Sequence, residues 1–273
     1  MEIQFKKMSG AGNDFVVADN RERIVPESGR AELIERWCRR RVGIGADGVL
    51  LLEPAQGAGD FRMRYYNADG GEAESCGNGA RCIARFALLV GAAPAEMRFE
   101  TQAGIYEAVV GAEEVTISLS DPTDLRRNVK LPDVAGLPDG GRVDFINTGV
   151  PHVVVRMDDV QAVDPVAVGR PIRHHQAFAP AGANANFIAP RDEGGLAIRT
   201  YERGVEDETL ACGTGAVASA LVASLHGWAT SPTPVKTRGG PVLTIHFERA
   251  GEGFRNIRLQ GEARVVYEGT IRI

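Results

Sequence analysis

Cysteine is scarce in this chain of 273 residues. Four cysteines occur, at positions 38, 76, 82 and 212, and no two of them form a Cys-x-x-Cys pair. Four scattered cysteines in a chain of this length exclude a disulfide scaffold and are typical of a reducing compartment. The first residues also lack the apolar segment of a signal peptide. We therefore expect a cytoplasmic protein with free thiols.

Long apolar runs and an excess of positive charge are missing as well. The most apolar stretch, residues 216–225, is interrupted by two serines and is shorter than the roughly 20 residues that a membrane helix needs. The net charge is −5 and the isoelectric point about 5.6, which argues against a nucleic-acid surface. We expect neither a membrane nor a nucleic acid as partner.

Lysine and histidine are too few or too scattered for the common cofactor sites. None of the four lysines lies in a glycine-rich, phosphate-binding context, so a pyridoxal phosphate Schiff base is not expected. The five histidines show no metal-ligand spacing. The segment Gly43–Gly48 matches G-x-G-x-x-G, but a helical pattern precedes it and a strand follows, the reverse of a dinucleotide-binding turn. We predict no cofactor and no metal.

Short strand patterns separated by Gly, Asp and Pro turns fill most of both halves. They predict two α+β units of similar size. A weak internal repeat supports this division. The segment Gly10–Ala18 resembles Gly182–Ala189, and the "CGNGA" turn at Cys76 resembles the "CGTGA" turn at Cys212.

The two cysteine turns share a physical design. Each places a cysteine before a glycine-rich turn that opens an apolar helical pattern. The first N–H groups of a helix lack intrahelical partners and favour an anion. A thiolate is stabilised at the same place. Cys76 and Cys212 are therefore predicted to be acid/base groups, each beside a cradle for a carboxylate.

Two such thiols fit the inversion of a stereocentre. One thiolate removes a proton from carbon on one face, a thiol returns a proton on the other face, and the roles exchange in reverse. Two modules that face each other would place Cys76 and Cys212 on opposite sides of one cleft. This is racemase or epimerase chemistry without a cofactor. Cys38 and Cys82 fall within helical patterns and are predicted to be core residues.

Three further polar residues are candidates for the same site. Glu202 and Arg203 lie at the end of a strand pattern, ten residues or fewer before Cys212. They are interpreted as a pair that binds the ammonium and carboxylate of an amino acid. His152 follows Pro151 at a strand start and is predicted to support catalysis.

Taken together, the motifs of this sequence resemble the diaminopimelate epimerase family. The matching segments follow the family's order over nearly the whole chain: "KMSGAGNDFVVAD", "RRVGIGADGVLLLE", "YYNADGGEAESCGNGARC", "GVPHVVV", "GANANFIAP" and "RTYERGVEDETLACGTGA". The resemblance implies α+β domains related by pseudo-symmetry, each a mixed sheet curled into a barrel around a central helix. It implies the cofactor-independent interconversion of LL- and meso-diaminopimelate, in the pathway to lysine and peptidoglycan precursors.

The resemblance also implies roles for individual residues and a domain division. Cys76 and Cys212 match the two acid/base thiols, and His152 and Glu202 match positions that support catalysis. The positions that match substrate-binding residues are Asn13, Asn67, Gly77, Asn78, Asn184, Glu202, Arg203, Gly213 and Thr214. The expected domains are residues 1–118, joined by a returning strand 263–273, and residues 119–262. A homodimer is implied, with Tyr267 at a contact position.

Two departures from the family pattern leave an alternative open. Many members carry Asn where this chain has Val150, and some carry Gln where it has Gly48. The loss of a polar group at Val150 bears on recognition of the distal end of the substrate. A related two-cysteine racemase for proline or hydroxyproline is therefore the alternative. A cysteine-nucleophile hydrolase or a thiol-redox protein is a remote one, because it leaves the second cysteine turn unexplained.

Overall fold

The computed structural model describes residues 2–74 and 76–272. Met1, Ser75 and Ile273, which fall inside the predicted domain ranges, lie outside the described residues. The chain divides into two compact units. The first unit is Met1–Ser118 together with Gly261–Ile273, and the second unit is Leu119–Gln260.

In the part of the chain that the structure describes, the first unit contains one mixed sheet and two helices. Its elements are β1 (Glu2–Gly10), β2 (Asn13–Asp19), α1 (Arg30–Cys38), β3 (Gly48–Glu53), β4 (Phe61–Asn67), β5 (Glu72–Ala73), α2 (Gly77–Leu89), β6 (Glu96–Thr101), β7 (Gly104–Val110), β8 (Glu114–Ser118) and β18 (Arg264–Arg272). The strands pair in the order β18-β1-β2-β3-β4-β6-β7-β8, with β5 also on β4. The pairs β2–β3 and β4–β6 are parallel, and the others are antiparallel.

The second unit repeats this plan. Its elements are β9 (Thr123–Lys130), β10 (Arg142–Asn147), β11 (Pro151–Arg156), α3 (Pro165–Arg173), β12 (Asn184–Pro190), β13 (Leu196–Glu202), β14 (Asp207–Thr209), α4 (Gly213–Leu225), β15 (Thr233–Lys236), β16 (Val242–Ala250) and β17 (Gly253–Glu262). The order is β9-β10-β11-β12-β13-β15-β16-β17, with β14 on β13. The pairs β11–β12 and β13–β15 are parallel, as are their counterparts.

The helix after each cysteine is the central element of its unit. Helix α4 is apolar all round, and ten of its thirteen residues are buried, as expected for a helix in the middle of a core. Helix α2 contacts β1 to β4 and also β7 and β8, and α4 contacts β10 to β13 and also β15 and β16. Each sheet therefore wraps around its helix, and the predicted fold class is confirmed.

The other face of each sheet carries the crossover helix of the first parallel pair. Leu33, Ile34 and Trp37 of α1 pack with β2 and β3 in the first unit. Val168 and Ile172 of α3 do the same with β11 and β12 in the second unit. Among residues 2–74 and 76–272, no helix is both long and apolar enough to cross a membrane.

Two features of the sequence analysis are corrected. The repeat matched Gly10–Ala18 with Gly182–Ala189, but by topology β2 corresponds to β11, whereas β12 corresponds to β3. A glycine or asparagine before a short apolar strand recurs at several strand starts, and so does not identify the strand. Helix α3 was also missed, although Asp164 caps it by accepting from two backbone N–H groups and Pro165 stands at its first position.

Candidate active site

Both predicted acid/base cysteines occupy the same point of the topology. Cys76 is the N-cap residue of α2 and Cys212 is the N-cap residue of α4. The first intrahelical bonds run from Ala80 N to Cys76 O, at 2.7 Å, and from Ala216 N to Cys212 O, at 2.9 Å. The three N–H groups before each bond belong to the glycine-rich turn. One of them, Gly79 N, lies 3.5 Å from Cys76 Sγ.

A directional hydrogen-bond chain lies at the start of α2. Arg81 donates to Asn78 Oδ1 at 2.8 Å, Asn78 Nδ2 donates to Asn13 Oδ1 at 2.5 Å, and Asn13 Nδ2 donates to Asp47 Oδ2 at 3.1 Å. The chain begins at a group that only donates and ends at a group that only accepts. The orientation of both amides is therefore fixed. This brings two predicted substrate-binding residues, Asn13 and Asn78, to the turn that carries Cys76.

Arg81 places a positive charge inside the first unit. Its side chain is fully buried, and it also donates to Gly77 O at 3.2 Å. Burial lowers the pKa of the guanidinium, while the neighbouring thiols Cys82 and Cys76 act in the opposite direction. Among the described residues, Arg81 Nε has no hydrogen-bond partner. An anion beside this turn would be stabilised by the charge.

Asn67 and Gly48 lie beside each other at the ends of two paired strands. Asn67 is the last residue of β4 and pairs with Gly48, the first residue of β3. Asn67 Oδ1 accepts from Tyr65 OH at 2.7 Å. A Cβ atom at Gly48 would lie 2.5 Å from Tyr66 O and 2.8 Å from Tyr65 Cε2. This backbone therefore has no room for the larger residue that some family members carry at this position.

A second hydrogen-bond chain lies at the start of α4. Cys212 Sγ is 3.6 Å from Thr214 Oγ1, which is 3.0 Å from His152 Nε2. His152 Nδ1 is 3.0 Å from Asn186 Nδ2. Thr148 of the β10–β11 turn donates to Thr214 O at 2.9 Å. The structure thus brings the predicted residues His152 and Thr214 to Cys212.

His152 is fully buried. Burial, with a smaller contribution from the charge of Arg203, lowers the pKa of its imidazole to about 3. The ring is therefore neutral at neutral pH, and it acts as a hydrogen-bonding group rather than as a charge.

Asn184, Glu202 and Arg203 form a neighbouring group in the second unit. Asn184 Oδ1 accepts from Arg203 N at 2.7 Å, and its Nδ2 donates to Pro151 O at 3.0 Å. Asn184 pairs with His152 across the β11–β12 ladder. Glu202 accepts from Thr209 Oγ1 at 2.8 Å. Burial raises the pKa of Glu202, against the opposing effect of that hydrogen bond.

The other two cysteines lie within helices α1 and α2 rather than at a helix N-cap. Cys38 and Cys82 are buried in the first unit, at 4% and 0% exposure. Burial raises the pKa of Cys38 to about 11 and that of Cys82 to about 12. Both therefore stay protonated and unreactive at neutral pH.

Sequence reasoning missed the residues that orient the candidate site residues through hydrogen bonds. In the first unit, Arg81 and Asp47 fix the amides of Asn78 and Asn13. In the second unit, Asn186 contacts His152, and Thr200 donates to Asn186. The signal for Asn186 is visible in "NANFIAP", where Asn184 and Asn186 share one face of an otherwise apolar strand. Within residues 2–74 and 76–272, no cluster of His, Cys, Asp and Glu could hold a metal ion.

Comparison with known proteins decides the family. The diaminopimelate epimerase family matches residues 5–123 and 145–266. A diaminopimelate epimerase of Aquifex aeolicus is 42% identical, with 98% of each chain covered. One of Chlorobaculum tepidum is 44% identical, covering 97% of this chain and 100% of the relative. The chain belongs to the diaminopimelate epimerase family.

Diaminopimelate epimerases are isomerases, and solved structures of more distant proteins share the fold. A phenazine biosynthesis protein of the PhzF family from Bacillus anthracis superimposes with a TM-score of 0.77 at 16% identity, with 100% of each chain covered. A hydroxyproline epimerase from Agrobacterium vitis superimposes with a TM-score of 0.68 at 16% identity, covering 99% of this chain and 92% of that one. At such identities these neighbours show the fold alone.

Proposed function

We propose that this chain interconverts LL- and meso-2,6-diaminopimelate without a cofactor, with Cys76 and Cys212 as the two acid/base groups. The observation that carries the proposal is the placement of both thiols. Each caps the central helix of a unit with the same strand order, in a chain that belongs to the diaminopimelate epimerase family. Chemistry that needs one base on each face of a carbon accounts for two such turns.

The proton transfers balance with water as the only other participant, because the two thiols regain their starting protonation states by exchange with solvent between turnovers. One thiolate takes the proton from the α-carbon, so that a C–H bond breaks and an S–H bond forms. The other thiol gives its proton to the opposite face, so that its S–H bond breaks and a new C–H bond forms. The mechanism requires both thiols to reach one α-carbon. The reverse reaction exchanges their roles.

The substrate carboxylate has a binding group in each glycine-rich turn. Negative charge that develops on its oxygens during deprotonation is stabilised by helix N-terminal N–H groups. We assign this role to the backbone of Gly77 and Asn78 and of Gly213 and Thr214. These residues stand at the first positions of α2 and α4.

The remaining predicted residues would bind the ammonium and the distal amino-acid group. Glu202 and Arg203 provide charges of both signs at the end of β13, and Asn184 is anchored to the backbone on both sides of its amide. In the first unit, Asn13 and Asn67 provide amide groups at the ends of β2 and β4. We propose that His152 acts on Cys212 through Thr214 and does not itself exchange a proton with substrate.

The test uses reduced protein with LL-diaminopimelate in D₂O and no added cofactor. We expect deuterium at the α-carbon, followed by NMR, together with formation of the meso isomer, followed by chiral chromatography. Cys76→Ser and Cys212→Ser should each reduce turnover on the order of a thousandfold, the scale of a lost general base. Cys82→Ser is the matched control, because that thiol is buried in α2 and has no proposed role.

Two outcomes would contradict the proposal. One is the absence of exchange with thiols shown to be reduced. The other is exchange that persists in both serine variants. Incubation with trans-4-hydroxy-L-proline in the same assay separates the alternative substrate class.

We further propose that the protein acts in the cytoplasm as a homodimer, and that residues 1–118 with 263–273 and residues 119–262 act as its two domains. Tyr267 and Val266 of β18 are 45% and 53% exposed, and an apolar pair of this kind is consistent with a protein contact. Sedimentation should show a dimer that Tyr267→Glu weakens. A monomer at all concentrations would contradict the assembly and leave the catalytic proposal intact.

A further inference from the structure

The pairing registers allow the two units to be compared residue by residue. Strands β3 and β12 are equivalent, since each follows the crossover helix of its unit. Their first residues are Gly48 and Asn184. Gly48 pairs with Phe15 on β2, and Asn184 pairs with His152 on β11. His152 therefore occupies the position of Phe15.

The next inward-facing residues of β3 and β12 are Leu50 and Asn186. They are also equivalent, and again the first unit has an apolar residue where the second unit has a polar one. A Cβ atom at Gly79, the third residue of α2, would lie 3.1 Å from Leu50 Cδ2. A Cβ atom at Gly215, the third residue of α4, would lie 2.4 Å from Asn186 Oδ1. The fold thus accepts an apolar side chain here, and a fully buried amide in the second unit calls for another explanation.

The neighbours of Asn186 determine how its amide is oriented. Asn186 Nδ2 lies 3.0 Å from Val153 O, which can only accept. Thr200 Oγ1 donates to Asn186 Oδ1 at 3.0 Å. The nitrogen therefore faces Val153, and its second hydrogen is directed at His152 Nδ1, 3.0 Å away.

This orientation selects one tautomer of His152. The ring is neutral, because burial lowers its pKa to about 3. A neutral ring whose Nδ1 accepts a hydrogen bond carries its hydrogen on Nε2. That hydrogen is donated to Thr214 Oγ1 at 3.0 Å. The hydroxyl hydrogen of Thr214 is then available to donate to Cys212 Sγ at 3.6 Å.

We propose that Asn186 is a positioning residue that fixes the Nε2–H tautomer of His152 and so makes Thr214 a hydrogen-bond donor to the Cys212 sulfur. A donor to the sulfur stabilises the thiolate over the thiol. The apolar pair Phe15 and Leu50 provides no such donor to Cys76 from the equivalent positions. The benefit to catalysis rests on the proposed function, whereas the tautomer and the thiol reactivity do not.

Among the described residues, Arg203 is the charged group that acts on His152. Arg203 disfavours protonation of His152, and Glu202 is itself held toward its neutral form by burial. Neither is altered by a substitution at Asn186. The contribution of the tautomer can therefore be measured separately from theirs.

The first experiment reads the tautomer in the unsubstituted protein. The histidine rings are labelled with ¹⁵N, and long-range ¹H–¹⁵N correlations are recorded from pH 8 to pH 5. His152 is assigned by the loss of its signals in His152→Gln. We expect a neutral ring with hydrogen on Nε2 throughout this range. A hydrogen on Nδ1, or a charged ring, would overturn the proposal.

The second experiment measures the thiol. The rate of alkylation of Cys212 by iodoacetamide at pH 7 is compared in Cys76→Ser chains with and without Asn186→Leu, which introduces the residue of the equivalent position. A rise of one unit in the thiol pKa lowers the thiolate fraction tenfold, and we expect a decrease of about this size. Leu50→Met, which repacks the equivalent site without a hydrogen bond, should leave Cys212 unchanged.

The outcomes separate this proposal from the proposed function. An Asn186→Leu chain that folds, as judged by circular dichroism, and alkylates at the unchanged rate would overturn the proposal. If that chain does not fold, the tautomer measured in the unsubstituted protein decides. Both readouts are independent of turnover, so an inactive protein with the Nε2–H tautomer would contradict the proposed function alone.

Discussion

The turn at Cys76 and the turn at Cys212 hold the same place in two identical topologies, yet different side chains lie beneath them. Below the first turn a buried guanidinium, Arg81, begins a chain of amides that ends at Asp47. The corresponding position in α4 is Val217, and the hydrogen bonds there join a neutral imidazole to a hydroxyl. A charge supports one thiol, and an uncharged donor supports the other.

This difference separates what the fold provides from what the side chains provide. The strand order and the glycine-rich turn place each cysteine at a helix N-terminus, which favours an anion in both units. The residues at Phe15 and His152, Leu50 and Asn186, and Arg81 and Val217 then set the local electrostatics of each thiol. A reaction that uses one thiolate and one thiol gains from two environments that are not identical.

The largest expected effect contrasts the two capping cysteines with the two core cysteines. Iodoacetamide at pH 8 should modify Cys76 and Cys212, while Cys38 and Cys82 react more than a hundredfold more slowly. Burial raises the pKa of the core thiols to about 11 and about 12, and only the thiolate reacts. Peptide mass spectrometry over a time course gives the four rates. Rapid labelling of Cys82 in the folded chain would show that burial does not protect it.

The next effect tests the charge in the first unit. Arg81→Met removes the guanidinium and frees the amide of Asn78. We expect activity to fall on the order of a hundredfold, the scale of a lost electrostatic contact in an active site. Alkylation of Cys76 should slow while that of Cys212 stays unchanged. Arg85→Met, one turn further along α2, is the control. Equal slowing of both thiols would mean that the substitution acts through the fold rather than the charge.

The neutral histidine of the second unit predicts a dependence of stability on pH. The pKa of His152 is about 3 in the folded protein, below its ordinary value of 6.5, so the unfolded chain binds a proton that the native state does not. The buried neutral ring therefore has its full stabilising effect above pH 6.5, and this part of the free energy of unfolding is lost as the pH falls from 6.5 toward 3. The slope is up to about 1.4 kcal/mol per pH unit.

Denaturant unfolding of the unsubstituted chain and of His152→Gln between pH 7 and pH 4.5 measures this term. Glutamine retains a hydrogen-bonding side chain and does not titrate. The stability of the substituted chain should therefore fall less steeply with acid. In the first unit, burial would raise the pKa of Asp14, but hydrogen bonds from Arg40 and Lys7 outweigh it and lower the pKa to about 2. That carboxylate loses its stabilising effect only below its ordinary value of 3.8. Identical slopes of stability against pH in the unsubstituted chain and in His152→Gln would rule out His152 as the source of the pH dependence.

The smallest expected effect concerns Val150, the position equivalent to Asn13. Val150→Asn would give the second unit the amide that the first unit has. If this amide contacts the distal end of the substrate, KM for diaminopimelate should fall by about two- to tenfold with kcat unchanged, since one hydrogen bond is worth roughly 0.5–1.5 kcal/mol. Steady-state kinetics measure the split, and Val150→Leu is the control. A change in kcat alone would place the residue in the chemistry rather than in binding.

Much of the candidate site could be proposed from the sequence because its signals are local. The two Cys-Gly turns, the strand starts at His152 and Asn184, and the strand end at Glu202 are each visible within about ten residues. The correspondence between strands of the two units was predicted less well. A short apolar strand after a glycine resembles many others, so β12 was matched with β2 instead of β3. Helix α3 was missed. Its nine residues include two prolines, and a proline inside a helix normally breaks it.

The sequence by itself determined which residues cap the two central helices, because a cap, a glycine turn and an apolar run depend on neighbours in the chain. It also determined the family, through segments kept in order along the whole length. Only the tertiary structure decided that Arg81 is buried beneath Asn78 and that Asn186 orients His152. Those contacts join residues from different strands and helices, and their effect depends on burial and on which atom donates. Neither burial nor the direction of a hydrogen bond can be derived from the spacing of residues along the chain.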